Sequence, residues 1–222
     1  MDGYKKQEEN KMKIGIIAAS GKAGTMIMKE AITRGHEVTA IVRNAAKITD
    51  SQVTVLERDI LEISYADVKE FDILVDAFNA PHGQEELHQT TLAHLTKILA
   101  GHKTPRLIVV GGAGSLYVDP AKTIRVMDTP DFPDAFLPTA SNMGTAFDAL
   151  KANTEITWTY LSPSAMFLPD GERTGSYTVG LDNLLANAAG ASEISYADYA
   201  IALLDEAEAG KHINQRFTVG SK

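Results

Sequence analysis

Residues 13–35 read Lys-Ile-Gly-Ile-Ile-Ala-Ala-Ser-Gly-Lys-Ala-Gly-Thr-Met-Ile-Met-Lys-Glu-Ala-Ile-Thr-Arg-Gly. The run Ile14 to Ala18 is continuously apolar, as expected of a strand covered on both faces in a parallel sheet. Helical spacing then takes over, with Ala23, Ile27 and Ala31 at i, i+4 and i+8, and Gly35 supplies the stop. Between strand and helix lies a tight turn built around Gly21 and Gly24. Such a turn leaves backbone N–H groups unpaired at the positive end of a helix dipole, which makes a site for a phosphate or pyrophosphate.

The same alternation continues outward. His36 to Asn44 reads as a second strand and Val53 to Leu56 as a third, before a short helix over Tyr65 to Glu70. Phe71 to Pro81 is a fourth strand running into a loop, Gln84 to Ala100 a long helix closed by Gly101, and Arg106 to Ser115 a fifth strand and its loop. A helix from Thr139 to Ala152, a strand from Ile156, a last amphipathic helix within Ser192 to Glu208 and a strand from Gln215 to Val219 complete the chain. Alternating strand and helix predict right-handed crossovers and a Rossmann-like, doubly wound, mainly parallel α/β sheet with helices on both faces. Without a Pro-, Gly- or Ser-rich linker, residues 13–222 are expected to form one domain, and residues 1–12 a flexible lead-in. The stretches 116–137 and 164–192 are expected to be substrate-side loops; the first carries Pro120, Pro130 and Pro133 among Asp119, Asp128, Asp131 and Asp134.

At 222 residues and 44% hydrophobic content the chain can bury a sizeable core. Its net charge of −8 argues against nucleic acid or an anionic membrane as partner, since such binders need a basic face. There is no cysteine, hence no disulfide framework, thiolate metal site or Cys nucleophile. No apolar run reaches the roughly 18 residues that span a bilayer, and the first dozen residues lack the apolar centre of a signal peptide. A cytoplasmic location is expected; the oligomeric state is left open.

Two phosphate-binding patterns compete for the turn. A Walker loop needs Gly-x-x-x-x-Gly-Lys-Ser/Thr, but Gly15 lies one residue too far before Gly21-Lys22, and Ala23 stands where the magnesium-binding hydroxyl belongs. The dinucleotide pattern fits Gly21 and Gly24, with an alanine, Ala18 or Ala19, in place of its first glycine. Its context of strand before and helix after is what that pattern requires. About twenty residues past the turn, where an acidic residue would meet an NAD 2′-hydroxyl, stands Arg43 with Lys47 close behind. A charge-assisted bond to a 2′-phosphate is worth roughly 1.5–3 kcal/mol, about one to two decades of preference for NADP(H) over NAD(H).

Several segments together resemble a known family: Ala18-Ala-Ser-Gly-Lys-Ala-Gly, Val42-Arg-Asn, Arg58-Asp-Ile, Asp76-Ala-Phe-Asn-Ala and Val109-Val-Gly-Gly-Ala-Gly-Ser-Leu. To these add Trp158-Thr-Tyr-Leu-Ser-Pro-Ser, Gly171-Glu-Arg-Thr-Gly-Ser-Tyr and Ile194-Ser-Tyr-Ala-Asp-Tyr-Ala. They resemble the atypical short-chain dehydrogenases/reductases of the single-domain, NAD(P)H-binding, NADH-flavin reductase-like kind, related to biliverdin and flavin reductases. The resemblance implies that Ser20, Gly21, Lys22, Ala23 and Gly24 hold a pyrophosphate, and Arg43 a 2′-phosphate. It implies Asp59 and Ile60 at the adenine edge, and Ala77, Phe78 and Asn79 along the cofactor. Ser115 would sit near the nicotinamide, and Pro163 to Ala165 would flank its carboxamide.

Typical members of the wider superfamily carry a Tyr-x-x-x-Lys pair on the helix after the fifth strand. This chain offers Thr139-Ala-Ser-Asn-Met-Gly there, which argues against alcohol–ketone interconversion and leaves no evident catalytic residue. A flavin (FMN or FAD) or quinone-like small acceptor needs only to be stacked on the nicotinamide. The expected function is therefore an NAD(P)H-dependent reductase of such an acceptor, the alternative a non-catalytic NAD(P)-binding redox sensor or regulator. A nucleotide-sugar epimerase loses ground for want of both the pair and a C-terminal substrate domain.

Smaller signals are weaker. No His-Glu-x-x-His occurs among the six histidines, and no metal is expected. His82, beyond the fourth strand, and Ser164 are the candidate substrate contacts. Gly112-Ala-Gly-Ser-Leu is not the Gly-x-Ser-x-Gly elbow of a hydrolase. Trp158 alternates with Ile156 and Tyr160 as core residues do, and Asp76 is placed to meet a loop amide.

Overall fold

The computed structural model describes residues 11–222. Most of the expected lead-in, residues 1–10, lies outside them; within them, the Met12 carbonyl accepts the Glu37 N–H at 2.9 Å. The main sheet has eight strands in the order β3-β2-β1-β4-β5-β6-β10-β8. They are β1 (Lys13–Ile17), β2 (Glu37–Val42), β3 (Thr54–Glu57), β4 (Ile73–Asp76), β5 (Arg106–Val110), β6 (Trp158–Ser162), β8 (Thr178–Gly180) and β10 (Gln215–Gly220). All neighbours are parallel except β8, which runs antiparallel to β10. The chain order reverses between β1 and β4, and ligands of open α/β sheets bind at such a switch point.

Alternate residues of the central strands feed two cores. Ile14, Ile16, Val75 and Ile108 pack toward α1 (Lys22–Thr33) and α5 (Tyr196–Ala209). Ile17, Leu74, Leu107 and Val109 pack toward α3 (Leu87–Leu99) and α4 (Leu137–Lys151). Both faces being covered explains the unbroken apolar runs. The expected helix at residue 65 is the single turn α2 (Tyr65–Val68). Trp158 is core, edge-on to Phe147 with ring centroids 6.4 Å apart.

The stretch 164–192 holds more order than an irregular loop. β7 (Met166–Leu168) pairs with β9 (Glu193–Ser195) in a small parallel sheet, and β8 closes the rim of the large one. The segment before β8 clasps two helices: Arg173 Nη1 meets Glu30 on α1 at 2.8 Å, and the N–H groups of Thr174 and Gly175 donate to Asp198 on α5. The 116–137 stretch is likewise fastened. Lys122 Nζ and Arg216 Nη2 both reach Asp182 at 2.8 Å, and Arg125 Nη2 donates to Asp148 on α4.

A buried cation ties the base of the sheet together. Arg106, at the start of β5, places Nη1 2.9 Å from Glu206 Oε1 and 3.0 Å from Thr159 Oγ1. Its Nη2 donates to the carbonyls of Glu206 and Ala207 at 2.8 and 2.9 Å, so it neutralises the carboxylate while capping the last turn of α5. Among the described residues no helix is long and apolar enough to cross a membrane.

Candidate functional site

A cleft of about 1220 Å³ runs along the carboxyl ends of β1, β2, β4, β5 and β6. At its middle is the turn of the opening stretch. Ala18 sits at φ +56°, a left-handed conformation usual for glycine, and its carbonyl accepts the Gly21 N–H at 2.9 Å. The alanine thus takes the backbone shape that the motif assigns to its absent first glycine. Gly21 caps α1 without any side-chain bond to the first turn, so the leading N–H groups of this 12-residue helix face the cleft with no acidic side chain beside them. Ser20, Gly21, Lys22 and Ala23 all line it.

Gly24 does not. Its ideal Cβ would lie 2.4 Å from the Ala18 carbonyl oxygen and 2.9 Å from Ala19 Cα, so its hydrogen is what lets α1 pack against the end of β1. Its part is to set the helix, as the last glycine of a dinucleotide turn does, and it makes no cleft surface.

One end of the cleft is cationic. Arg43, Asn44 and Lys47 follow β2, and Arg58, Asp59 and Ile60 follow β3. Arg58 was not among the expected site residues; beside its weak 3.4 Å contact with Asp67 its side chain is 40% exposed. The Asp59 carboxylate accepts the Leu61 N–H at 3.0 Å and so fixes the turn that presents Ile60.

The other end is apolar and aromatic. Ala77, Phe78 and Asn79 line it after β4, Gly111 and Gly112 after β5, and Pro163 after β6. Gly111 is set against Tyr160, whose ring carbon lies 2.1 Å from where a Cβ would sit. Phe136, Met143, Phe167 and Tyr196 complete the wall, none of them foreseen as site residues. Phe136 is 63% exposed at the mouth, and Phe167 packs on Tyr196 with ring centroids 3.9 Å apart. On the inner face of α4, positions 143 and 147 carry Met and Phe, the latter packed 4.5 Å from the Tyr160 ring.

Of three further expected contacts, two fall outside the cleft and the third lines it with its hydroxyl already bonded. Ser115 is buried outside the cleft, with its hydroxyl and carbonyl oxygens each accepting a bond from Arg216 Nη1 at 3.0 Å. His82 does not line the cleft: its side chain is 94% exposed and pairs with Glu85 at 3.2 Å, because residues 81–86 turn outward before α3. Ser164 does line the cleft, but its buried hydroxyl donates to the Val219 carbonyl at 3.0 Å and is committed to β10 rather than to a substrate.

Behind the apolar end the ionisable groups are perturbed by burial. The Asp76 carboxyl, whose one oxygen accepts the Phe78 N–H at 3.1 Å, is pushed up to about 6 by desolvation. Burial also lifts Tyr160 to about 12 and lowers His88 below the usual imidazole range. Among the described residues no group of three or more His, Asp or Glu is placed to hold a metal ion.

Known proteins share this fold. The uncharacterised Bacillus subtilis protein YwnB is 58% identical over 211 residues, 95% of this chain and 99% of that one. A Streptococcus pneumoniae crystal structure, provisionally named an NADH-flavin reductase, is 43% identical and superposes with a TM-score of 0.91 over 95% of this chain and all of that one. ChuY, an anaerobillin reductase of Escherichia coli O157:H7, shares the fold at 19% identity and a TM-score of 0.70, over 94% of this chain and 97% of that one. The model of the NAD(P)H-binding family matches residues 18–207, and with that the chain belongs to this family, as its resemblance to the NADH-flavin reductase-like group implied.

Proposed function

We propose that the protein is an NADPH-preferring reductase that passes hydride to a flavin, a quinone or a similarly planar small acceptor. The observation that carries this reading is the polarity of one continuous cleft: cations at one end, uncapped helix N–H groups in the middle, and an apolar aromatic bay at the other. That sequence matches a dinucleotide laid across the switch point, with its 2′-phosphate on Arg43 and Arg58, its pyrophosphate on the N–H groups of Lys22 and Ala23, and its nicotinamide against Phe78 and Pro163. When bound, the cofactor supplies a hydride with its electron pair.

The walls of the bay contribute positioning and exclusion of water. Phe136, Phe167 and Tyr196 would give an acceptor ring apolar faces on which to stack beside the nicotinamide, the arrangement direct hydride transfer needs. A helix α4 without any Tyr-x-x-x-Lys, its inner face carrying Met143 and Phe147, favours an acceptor that takes hydride directly over a carbonyl that needs an acid to polarise it.

Steady-state oxidation of NADPH in the presence of FMN, FAD or a benzoquinone tests the reading. Turnover above the protein-free rate, with NADPH favoured over NADH, is expected. Tight NADPH binding with turnover equal to the protein-free control for every acceptor would replace it with a sensor that binds the dinucleotide and reports its redox state. R43A is expected to weaken NADPH binding by about ten- to a hundredfold, leaving NADH affinity within about twofold, as read by calorimetry.

A further inference from the structure

Beneath the apolar end of the cleft lies a second, smaller recess of about 20 Å³, room for one water molecule. Its walls are chemically unlike the bay above it. Asp76 from the end of β4, His88 and Thr91 from α3, and Tyr160 from β6 all face into it. None of these groups is spent on a strong ion pair: Asp76 accepts only the Phe78 N–H, the Tyr160 oxygen has a 3.4 Å contact from the Gly112 N–H, and His88 Nε2 accepts the Ala80 N–H at 3.4 Å. Four residues, Phe78, Thr91, Val110 and Met143, line both chamber and cleft, so the two adjoin. Of these four, Thr91 alone carries a hydroxyl, which donates to the Leu87 carbonyl at 2.7 Å.

We infer that this chamber is the proton store of the reductase, in which Asp76 supplies through one water and the Thr91 hydroxyl the proton that must accompany hydride to the acceptor. The inference rests on the reductase reading above. The hydride, with both electrons, comes from the dihydronicotinamide and forms a new bond at one atom of the acceptor. The negative charge left on the adjacent heteroatom is quenched by the Thr91 proton, once that O–H turns from the Leu87 carbonyl. Thr91 recovers a proton from the water, and the water from the Asp76 carboxyl. After product leaves, the carboxylate is reprotonated from solvent along the same path.

The electrostatic surroundings suit a carboxyl that changes state near neutrality. His88 from α3 and Tyr160 from β6 face Asp76; beyond Tyr160 stand Arg216 of β10 and Asp148 of α4, and beyond His88 stands Glu85. Burial raises Asp76 to about 6, where a general acid is most effective at neutral pH.

D76N keeps an oxygen for the Phe78 N–H but has no proton to give, and T91V keeps the shape of the wall without its hydroxyl. In cofactor-free protein, infrared difference spectra of wild type against D76N are expected to show a buried protonated carboxyl that vanishes as the pH rises from about 5 to about 8. Both variants are expected to bind NADPH within about twofold of wild type and to lose about a hundredfold in kcat with FMN or a quinone. The wild-type kcat should fall above about pH 6 while that of D76N stays level. Wild-type kcat and pH profile retained in either variant, or a carboxyl band that survives in D76N, would overturn the relay alone. Absence of wild-type turnover with any acceptor would instead overturn the reductase reading, and the relay with it.

Discussion

Replacing Gly24 by alanine is expected to lower the affinity for NADPH about a hundredfold while leaving the protein folded. The added Cβ would meet the Ala18 carbonyl oxygen at 2.4 Å and Ala19 Cα at 2.9 Å, and both are backbone atoms that no rotamer change can move. Relief requires α1 to move outward, and losing two charge-assisted bonds to a pyrophosphate, each worth at least about 1.5 kcal/mol, is about a hundredfold in affinity. The N–H groups of Lys22 and Ala23 travel with the helix, away from the place a pyrophosphate must occupy. Ile27, Met28 and Ala31 still bury one face of α1, which is why the fold is expected to survive. Calorimetric titration with NADPH beside thermal unfolding of the same sample separates the two effects, and unchanged affinity would show that the turn is not where the pyrophosphate lies.

Arg106→Met is expected to cost the fold about 3–5 kcal/mol, the range for breaking a buried ion pair by removing one partner. Glu206 would be left almost fully buried with only His212 beside it, at 2.7 Å. The Glu206 and Ala207 carbonyls would lose their guanidinium donors at the same stroke. In a chain of this size the shift in Tm is about 10 °C, readable by calorimetry or as a lower urea midpoint. R106K should recover only part of the loss, because an ammonium cannot serve the carboxylate and two carbonyls with the geometry of a planar fork. Cofactor affinity is expected to stay near wild type, since Arg106 lies at the opposite end of the sheet from the cleft.

The architecture was legible wherever a strand or helix announces itself within a dozen residues. Ile14–Ile17 and Leu107–Val109 are apolar throughout because both faces are covered, and the turn between Ala18 and Gly24 located the cleft correctly. The expectations that failed concern partners remote in sequence. Ser115 lies beside the cleft loops but is engaged by Arg216, a residue 101 positions later. β7 and β8 have three residues each and owe their existence to Glu193–Ser195 and Thr218–Gly220, so no local periodicity marks them. His82 follows a strand as a site residue would, yet Gly83 and Glu85 turn that segment outward. Asp76, His88 and Tyr160 meet from three separate elements, and only the fold shows that they share a chamber.

The outer strands of the main sheet bear on how the protein behaves at high concentration. A long, flat rim is a template on which a stray chain can add itself and seed a precipitate. Here the rims are β3, four residues ending in Glu57, and β8, three residues ending in Gly180. Either offers an invading strand little more than one pair of backbone bonds before the ladder runs out. Six of the eight strands, with nearly all the Val and Ile of the sheet, are thereby kept from intermolecular pairing by two short guards.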